Sequence, residues 1–241
     1  MTPRTAMVLA AGHGTRMRPL TADTPKPLIP VLGKPLIDWT LDHLAAAGVE
    51  RVVVNAHHLA DLLADHLAAR GDMEIVVVRE AELLDTGGAL VNARPHLGDG
   101  PIYVVNGDVL WLDGCTPALT RLAEAWVEER ADAVLLAAPT AWAHGYHGAG
   151  DLHLDFVGHV SWRDETEVAP FAYAGVQLLD PRLLDGTADA APFPVTDLLK
   201  ASEHVHGVSH DGVWFHIGTP DDLKVAESEL IDRGFRAPAA A

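Results

Sequence analysis

The sequence predicts an α/β protein built on a doubly wound, mainly parallel sheet. Apolar runs of strand length alternate with longer amphipathic stretches, which is typical of repeated strand–helix units. The first run, residues 6–11, is almost wholly apolar, as expected of a strand buried on both faces of a parallel sheet. A length of 241 residues also suits one large α/β domain. We therefore expect a single domain over residues 1–236 and a flexible tail at 237–241.

The first half of the chain supplies most of the predicted elements. Pro35 opens the first helix and Gly48 follows it as a stop, while Gly71 marks the end of the second helix. Gly88 opens a short third helix. The predicted strands are 6–11, 51–55, 74–78, 102–106 and 133–138, and the predicted helices are 35–47, 59–69, 88–93 and 116–130.

The pattern changes from about Thr140. Residues 151–156 and 159–162 alternate polar and apolar side chains around Val157 and Gly158, which predicts a β-hairpin. Further strands are predicted at 171–178 and 213–217, and further helices at 195–202 and 221–232. No linker-like Gly/Ser or Pro run separates the two halves. We therefore expect a small hairpin or lid extension on the same sheet.

The composition excludes several classes of protein. The chain carries 34 Asp and Glu against 17 Lys and Arg, a formal net charge of −17. Such an acid excess argues against a nucleic-acid partner, because few cations are available to displace counterions from a phosphate backbone. The apolar N-terminal run is far shorter than a membrane span and leads into a glycine loop, so no membrane partner is expected. The single cysteine, Cys115, excludes an internal disulfide and favours a cytoplasmic protein.

The most informative segment is a glycine loop that follows the first predicted strand. Gly12 and Gly14 allow backbone N–H groups to approach a ligand closely, because glycine has no Cβ. Arg16, Arg18 and Lys26 follow within fourteen residues, although basic side chains are scarce in this chain. N–H groups, guanidinium and ammonium together form a receptor for a polyphosphate. The alternative is a glycine-rich surface turn.

Two better-known glycine motifs do not fit this loop. The dinucleotide-binding fingerprint needs a third glycine where Met17 stands, and Pro19 interrupts any helix that would follow. The P-loop needs Gly-Lys-Ser/Thr after four spacer residues, and this sequence is absent. An NAD-dependent oxidoreductase is therefore disfavoured.

Four motifs in order resemble one family. Gly-His-Gly-Thr-Arg at 12–16, followed by Pro-Lys-Pro at 25–27, resembles the signature of the sugar-1-phosphate nucleotidyltransferases. Leu-Asp-Thr-Gly-Gly at 84–88, Val-Asn-Gly-Asp at 105–108 and Ile-Gly-Thr-Pro at 217–220 fit the same family. The resemblance spans nearly the whole chain. It implies a Rossmann-like nucleotidyltransferase fold with an inserted sugar-binding part.

The resemblance implies an in-line attack of a sugar-1-phosphate oxygen on the α-phosphorus of a nucleoside triphosphate. Its catalytic residues would be Arg16, which holds the departing pyrophosphate, Lys26, which bridges the two reacting phosphates, and Asp108, which binds the metal. Asp108 follows a predicted strand, at the edge where open α/β sheets bind ligands. A carboxylate there suits Mg²⁺, with Mn²⁺ as the alternative. Arg18 assists or is structural.

The resemblance also assigns binding residues. Thr86 would face the nucleobase, cap the helix that starts beside it, or do both. The implied nucleotide-binding residues are Ala10, Ala11, Gly12, Gly14, Thr15, Thr86, Gly87 and Gly88. The implied sugar-binding residues are Asn106, Tyr173 and Gly175. The expected partners are an NTP and a sugar-1-phosphate, with the protein a monomer or small homo-oligomer.

One position departs from the family pattern. His216 stands where the family commonly carries an Asp as second metal ligand, and imidazole binds Mg²⁺ poorly because hard cations prefer oxygen. Three alternatives explain how the metal would then be held. Asp108 and the triphosphate hold it together with water, or Asp211 or Asp221 supplies the second carboxylate. In the third alternative the ion is Mn²⁺. The same departure motivates an alternative of another class, a catalytically silent nucleotide-sugar-binding regulator. Within the family, the compact length most resembles uridylyltransferases of cell-wall sugar salvage, with guanylyltransferases second.

Overall fold

A nine-stranded sheet runs through the computed structural model, which describes residues 2–126, 131–187 and 191–237. In chain order the strands are β1 (Thr5–Leu9), β2 (Pro30–Val31), β3 (Lys34–Pro35), β4 (Arg51–Ala56), β5 (Glu74–Arg79), β6 (Ile102–Asn106), β7 (Val109–Leu112), β8 (Ala133–Pro139), β9 (Ala143–His144), β10 (Leu152–Leu154), β11 (Val160–Trp162), β12 (Phe171–Leu179), β13 (Val205–Ser209) and β14 (Val213–His216). The α-helices are α1 (Leu36–Ala46), α2 (Ala60–Ala68), α3 (Asp85–Leu97), α4 (Ala118–Ala125), α5 (Val195–Ala201) and α6 (Pro220–Asp232).

The sheet takes strands from both halves of the chain. Strands β5, β4, β1 and β6 pair in parallel, so their carboxyl ends meet at one edge. Strand β12 lies antiparallel between β6 and β8, and β13 pairs in parallel with β8. The predicted doubly wound α/β sheet is confirmed, and β12 makes it mixed. A separate three-stranded sheet joins β7, β14 and β9.

Helices cover both faces of the large sheet because its strands are apolar on both faces. One core contains buried side chains of α1, α2 and α4, and the opposite core contains those of α3 and α5. A third core lies under α6, where Leu223 and Leu230 pack with Leu110 of β7 and Phe215 of β14. This third core fixes the small sheet beside the carboxyl end of β6.

The element boundaries differ from the sequence prediction at several points. Helix α3 begins at Asp85, before the glycine pair, and continues through Pro95 to Leu97, because Ala89, Leu90 and Ala93 bury an apolar face. Helix α4 ends at Ala125, and residues 127–130 of the predicted helix lie outside the described residues. The predicted hairpin is confirmed as β10 and β11, which extend the large sheet at β12. Strands β7 and β13 were not predicted.

Two further expectations from the sequence concern the C-terminal tail and the absence of a membrane partner. Of the expected tail, residues 238–241 lie outside the described residues. In the described ranges, none of the helices combines the length and apolar character that crossing a bilayer requires.

Candidate active site

A cavity of about 490 Å³ opens at the carboxyl ends of β1, β4 and β6. Its walls come from the glycine loop, the strand ends and the first turn of α3. Among the sequence-predicted residues it is lined by Ala10, Ala11, Gly12, Lys26, Thr86, Asn106 and Asp108. Chain segments far apart in sequence therefore converge on one space, as expected at this edge of an open α/β sheet.

The glycine loop is held in one shape by its own hydrogen bonds. Gly14 has a φ of 60°, in the left-handed region that favours glycine, and its carbonyl accepts from the Thr21 hydroxyl at 2.8 Å. A Cβ at Gly14 would approach Thr21 Cγ2 to 3.0 Å and Lys26 Cβ to 3.1 Å. The glycine thus allows the segment carrying Lys26 to fold back against the loop.

Arg16 and Arg18 project from the turn that follows. Both side chains are exposed, and neither forms an ion pair with a carboxylate in the described part of the chain. In a protein of net charge −17, guanidinium groups without a carboxylate partner remain able to bind an anion. This favours a ligand-binding role for Arg18 over the structural role left open by the sequence.

Lys26, Asp108 and His216 form a compact polar cluster, of which Lys26 and Asp108 line the cavity. The Lys26 ammonium donates to Asp108 Oδ2 at 3.1 Å, and His216 Nε2 lies 3.7 Å from the same oxygen. Burial by itself raises the pKa of the Asp108 carboxyl. The His216 imidazole and the Lys26 ammonium outweigh that effect and hold the pKa well below its usual range. Asp108 is therefore an anion that can bind a cation.

The register of the small sheet explains why His216 faces Asp108. Strand β14 pairs antiparallel with β7, and His216 lies opposite Val109. A backbone hydrogen bond from the Ile217 amide to the Asp108 carbonyl, 3.0 Å long, continues the pairing of β14 with β7 by one residue. Gly107, before Asp108, is packed so closely that a Cβ would lie 2.6 Å from the Leu9 carbonyl oxygen. The end of β1 and the start of β7 are thereby held together.

Two buried polar residues that sequence reasoning missed support the cavity floor. Asn55 Oδ1 accepts from the Ala10 amide at 2.7 Å, and Asn55 Nδ2 donates to Glu80 Oε1 at 2.8 Å. The other Glu80 oxygen accepts from the Leu84 amide at 3.3 Å. This network joins β1 to the loop before α3. Asn55 lies near the end of β4, and Glu80 follows the end of β5 directly. A polar residue at a strand end could have indicated this role from the sequence, but neither residue belongs to a recognised motif.

Thr86, Gly87 and Gly88 play a more structural part than the resemblance implied. Helix α3 starts at Asp85, so the expectation that Thr86 caps it is wrong, and the Thr86 hydroxyl accepts from the Val195 amide at 2.8 Å. The amides of Gly87 and Gly88 donate to the Phe193 carbonyl at 2.8 and 3.3 Å. A Cβ at Gly87 would lie 2.2 Å from the Phe193 ring. Neither glycine is among the residues that line the cavity.

The sugar-side residues lie together around a β-bulge. Gly175, with a φ of 71°, sits in the register shift of β12 between Tyr173 and Gln177, and a Cβ there would lie 2.8 Å from Asn106 Nδ2. Among the described residues, Asn106 Oδ1, the Tyr173 hydroxyl and the Gln177 amide are buried without a hydrogen-bond partner. Burial also raises the pKa of the Tyr173 hydroxyl. Asn106 lines the cavity, whereas Tyr173 and Gly175 are not among its lining residues.

The carboxylates suggested as substitutes for a second metal ligand are engaged elsewhere. Asp211 pairs with Arg121 at 2.8 Å, beyond the opposite end of β14 from His216. Asp221 pairs with Lys224 at 2.7 Å on the exposed face of α6. Asp222 of the same helix is buried, and its carboxylate lies against Gly218.

Thr15, expected to bind the nucleotide, is exposed and lies outside the cavity lining.

Histidine side chains form one local cluster near the glycine loop. In the described ranges no three His, Cys, Asp or Glu side chains are arranged to hold a metal ion on their own. His13, at the tip of the glycine loop, nevertheless packs against His57 and His58, with ring centroids 5.3 and 5.4 Å apart. Cys115 is exposed.

Comparison with known proteins decides the family. The family model described as "Nucleotidyl transferase" matches residues 5–148, more than half of the chain. The chain belongs to this nucleotidyltransferase family. The match covers the glycine loop, Lys26 and Asp108, whereas His216 lies beyond it. Members of the family generally use a divalent metal ion.

Relatives extend the similarity over nearly the full length. N-acetylmuramate alpha-1-phosphate uridylyltransferase of Caulobacter vibrioides is 43% identical over 240 residues, covering 95% of this chain and 98% of its own. Mannose-1-phosphate guanyltransferase of Yarrowia lipolytica is 30% identical over 231 residues, covering 90% of this chain and 61% of its own. The resemblance to sugar-1-phosphate nucleotidyltransferases is thus confirmed, and the guanylyltransferase is the more distant relative.

A solved structure shows the same fold. UDP-glucose pyrophosphorylase complexed with UDP-glucose superposes with a TM-score of 0.80 at 17% identity, covering 96% of this chain and 99% of its own. At that identity the likeness concerns the fold, and it confirms the Rossmann-like nucleotidyltransferase architecture expected from the sequence.

Proposed function

We propose that this nucleotidyltransferase transfers the uridylyl group of UTP to N-acetylmuramate 1-phosphate, in the salvage of cell-wall sugars. A sugar-phosphate oxygen forms a new bond to the α-phosphorus while the bond from that phosphorus to the β-phosphate bridge breaks, releasing pyrophosphate and a UDP-sugar. The observation that carries the proposal is the Lys26–Asp108 pair at the mouth of the cavity. The similarity to the Caulobacter uridylyltransferase supports the choice of substrates.

The chain's own residues supply alignment and charge for this reaction. Displacement at phosphorus gains little from covalent help and much from positioning and charge neutralisation. Lys26, with its ammonium beside the cavity, would contact the α-phosphate and the incoming sugar phosphate. Arg16, exposed and free of ion pairs with the described carboxylates, would hold the departing pyrophosphate. Ala10, Ala11 and Gly12 would border the nucleoside.

The residues present fit a divalent ion shared with the substrate. Asp108 Oδ2 and His216 Nε2 are 3.7 Å apart, a separation that two ligands of one metal ion can adopt. Mg²⁺ is commonly held in this way by one or two protein groups together with substrate phosphates. When bound, the ion would neutralise charge on the phosphates. The imidazole nitrogen favours Mn²⁺ as an alternative, because Mn²⁺ accepts nitrogen ligands more readily than Mg²⁺.

The sugar would lie toward β12. Asn106 borders the cavity with an unpartnered carbonyl oxygen, and Gly175 leaves the space that the Asn106 side chain occupies. Among the described residues, the Tyr173 hydroxyl of the same strand β12 is also buried without a hydrogen-bond partner.

The test is a pyrophosphate-release assay with four NTPs against the 1-phosphates of N-acetylmuramate, N-acetylglucosamine and mannose. We expect the highest kcat/KM with UTP and N-acetylmuramate 1-phosphate. Preference for GTP and mannose 1-phosphate would replace the proposal by the guanylyltransferase alternative. Binding without turnover of any pair would establish the silent regulator instead. The intact Lys26–Asp108 pair argues against that outcome.

A further inference from the structure

The structure places the Arg16 guanidinium directly across Gly218. A Cβ at Gly218 would lie 3.2 Å from Arg16 Nη1 and 3.4 Å from Arg16 Cζ. Gly218 is buried, and its backbone is outside the left-handed region that glycine alone adopts freely. The backbone conformation therefore does not demand glycine at this position. Glycine suits this position because it leaves clearance for the arginine, since a Cβ would press on the guanidinium and shift it by a few tenths of an ångström.

A buried carboxylate lies beneath the same glycine. Asp222 Oδ2 accepts from the amides of Gly218 and Thr219, at 3.2 and 2.8 Å, and it would be 3.4 Å from a Cβ at Gly218. The Thr219 hydroxyl accepts in return from the Asp222 amide at 3.2 Å, which completes a capping box at the start of α6. The negative charge of Asp222 is thus fixed in place, close to the path of the Arg16 side chain.

The other side of Asp222 is closed by the segment after β9. Gly145, with a φ of 71°, packs so closely that a Cβ would lie 2.2 Å from the His216 carbonyl oxygen and 3.2 Å from Asp222 Cβ. His147 Nε2 lies 3.7 Å from Asp222 Oδ1. Asp222 is consequently only 9% exposed, so its charge is weakly screened by water and acts over a longer distance than a surface charge does.

From this arrangement we propose that Gly218 and Asp222 are positioning residues for Arg16. Gly218 provides the surface on which the guanidinium rests, and Asp222 provides an attractive charge that holds it there before phosphates arrive. Arg16 makes no ion pair with Asp222, so its N–H donors remain available to the ligand. The Ile-Gly-Thr-Pro motif at 217–220 thereby positions Arg16, which follows the glycine loop. The inference rests on the role proposed for Arg16 in holding pyrophosphate.

The experiment is a double-mutant cycle with Gly218→Ala, Arg16→Ala and the double variant. Its readout is the dissociation constant of magnesium pyrophosphate, measured by calorimetry. The added methyl group would meet Arg16 Nη1 at 3.2 Å and shift the guanidinium slightly, so we expect Gly218→Ala to raise the dissociation constant about threefold and Arg16→Ala about a hundredfold. We expect the double variant to match Arg16→Ala alone, because Gly218 acts through that arginine. Additive effects, or an unchanged constant in Gly218→Ala, would overturn the inference.

Two further variants separate positioning from folding. Gly100→Ala adds a methyl group where a Cβ meets nothing within 4 Å, and we expect it to bind pyrophosphate like the wild type. Asp222→Asn keeps an oxygen for the two amides but removes the charge. We expect it to raise the dissociation constant about threefold with Arg16 present and not at all in Arg16→Ala. An equal rise in both backgrounds would show that Asp222 is merely structural. If the wild type turned over no sugar-1-phosphate, the proposed function would fail separately.

Discussion

At the scale of single residues, we expect Lys26 to be the group on which turnover depends most directly. The Lys26 side chain is largely buried and lines the cavity. Its ammonium group is hydrogen-bonded to Asp108. We expect Lys26→Ala to lower kcat by about a thousandfold, because the reacting phosphates lose a charge-assisted contact. Steady-state kinetics of pyrophosphate release measure this.

The matched control for Lys26→Ala is Lys224→Ala. Lys224 is an exposed lysine that pairs with Asp221 on α6, remote from the cavity lining. We expect Lys224→Ala to keep wild-type kinetics and Lys26→Ala to keep the wild-type melting temperature within a few degrees. Near-normal turnover by Lys26→Ala would show that its assigned role is wrong.

We propose that His216 sets which ion the site prefers. We expect His216→Asp to retain kcat within about tenfold in Mg²⁺, since a second carboxylate oxygen suits that ion. We also expect the ratio of Mn²⁺ affinity to Mg²⁺ affinity to fall, because the nitrogen donor is gone. Titration with each ion in the presence of UTP provides the measurement, and the exposed His204→Asp serves as control. An unchanged ratio would exclude His216 as a ligand.

At the scale of elements, Asp113 links the small sheet to α4. Its Oδ1 accepts from Trp111 Nε1 at 3.1 Å and from the Ala118 amide at 2.8 Å, while Oδ2 lies 3.3 Å from His43 Nδ1. Burial by itself raises the pKa of Asp113, but His43 and the other donors lower it overall. We expect Asp113→Ala to reduce the free energy of unfolding by about 2 kcal/mol at neutral pH, because buried donors lose their acceptor.

The pH dependence of that loss has a definite sign. The folded-state pKa of Asp113 is lowered, so its stabilising contribution is full above the ordinary pKa of about 4 and declines as the pH falls below it. The difference in melting temperature between wild type and Asp113→Ala should therefore shrink between pH 6 and pH 3. Asp61→Ala, an exposed carboxylate paired with Arg79, controls for general acid effects. A difference that stays constant to pH 3 would contradict the role of the charge.

The sequence predicts most of the long helices and strands, but it does not predict the contacts between segments that lie far apart in the chain. The apolar run that forms β6 and the Asp that follows it at 108 are visible locally, and Asp108 lines the same cavity as Gly12. That His216 faces Asp108 depends on an antiparallel register between β7 and β14, about a hundred residues apart. Gly87 likewise looked like a ligand contact, but Phe193 packs against it from a distant segment. Local patterns carry no information about such partners.

At the scale of the whole molecule, net charge opposes the proposed substrate. A chain of charge −17 repels a triphosphate at long range, while the contacts of Arg16 and Lys26 act over a few ångströms. Salt screens the long-range part first, because the Debye length falls from about 30 Å at 0.01 M to about 10 Å at 0.1 M. We expect kcat/KM for UTP to rise about twofold over that range at fixed Mg²⁺. Sucrose of equal osmolality is the control, and a steep fall would show net attraction.

The ladder between β7 and β14 has a consequence for how such a site can change over time. Position 216 is tied to its neighbour by backbone pairing, which is indifferent to the side chain it carries. Exchanging one donor atom for another there alters the chemistry offered to an ion without disturbing the scaffold. Descendants of a common ancestor can therefore drift between metal preferences by single substitutions, each step remaining a folded protein.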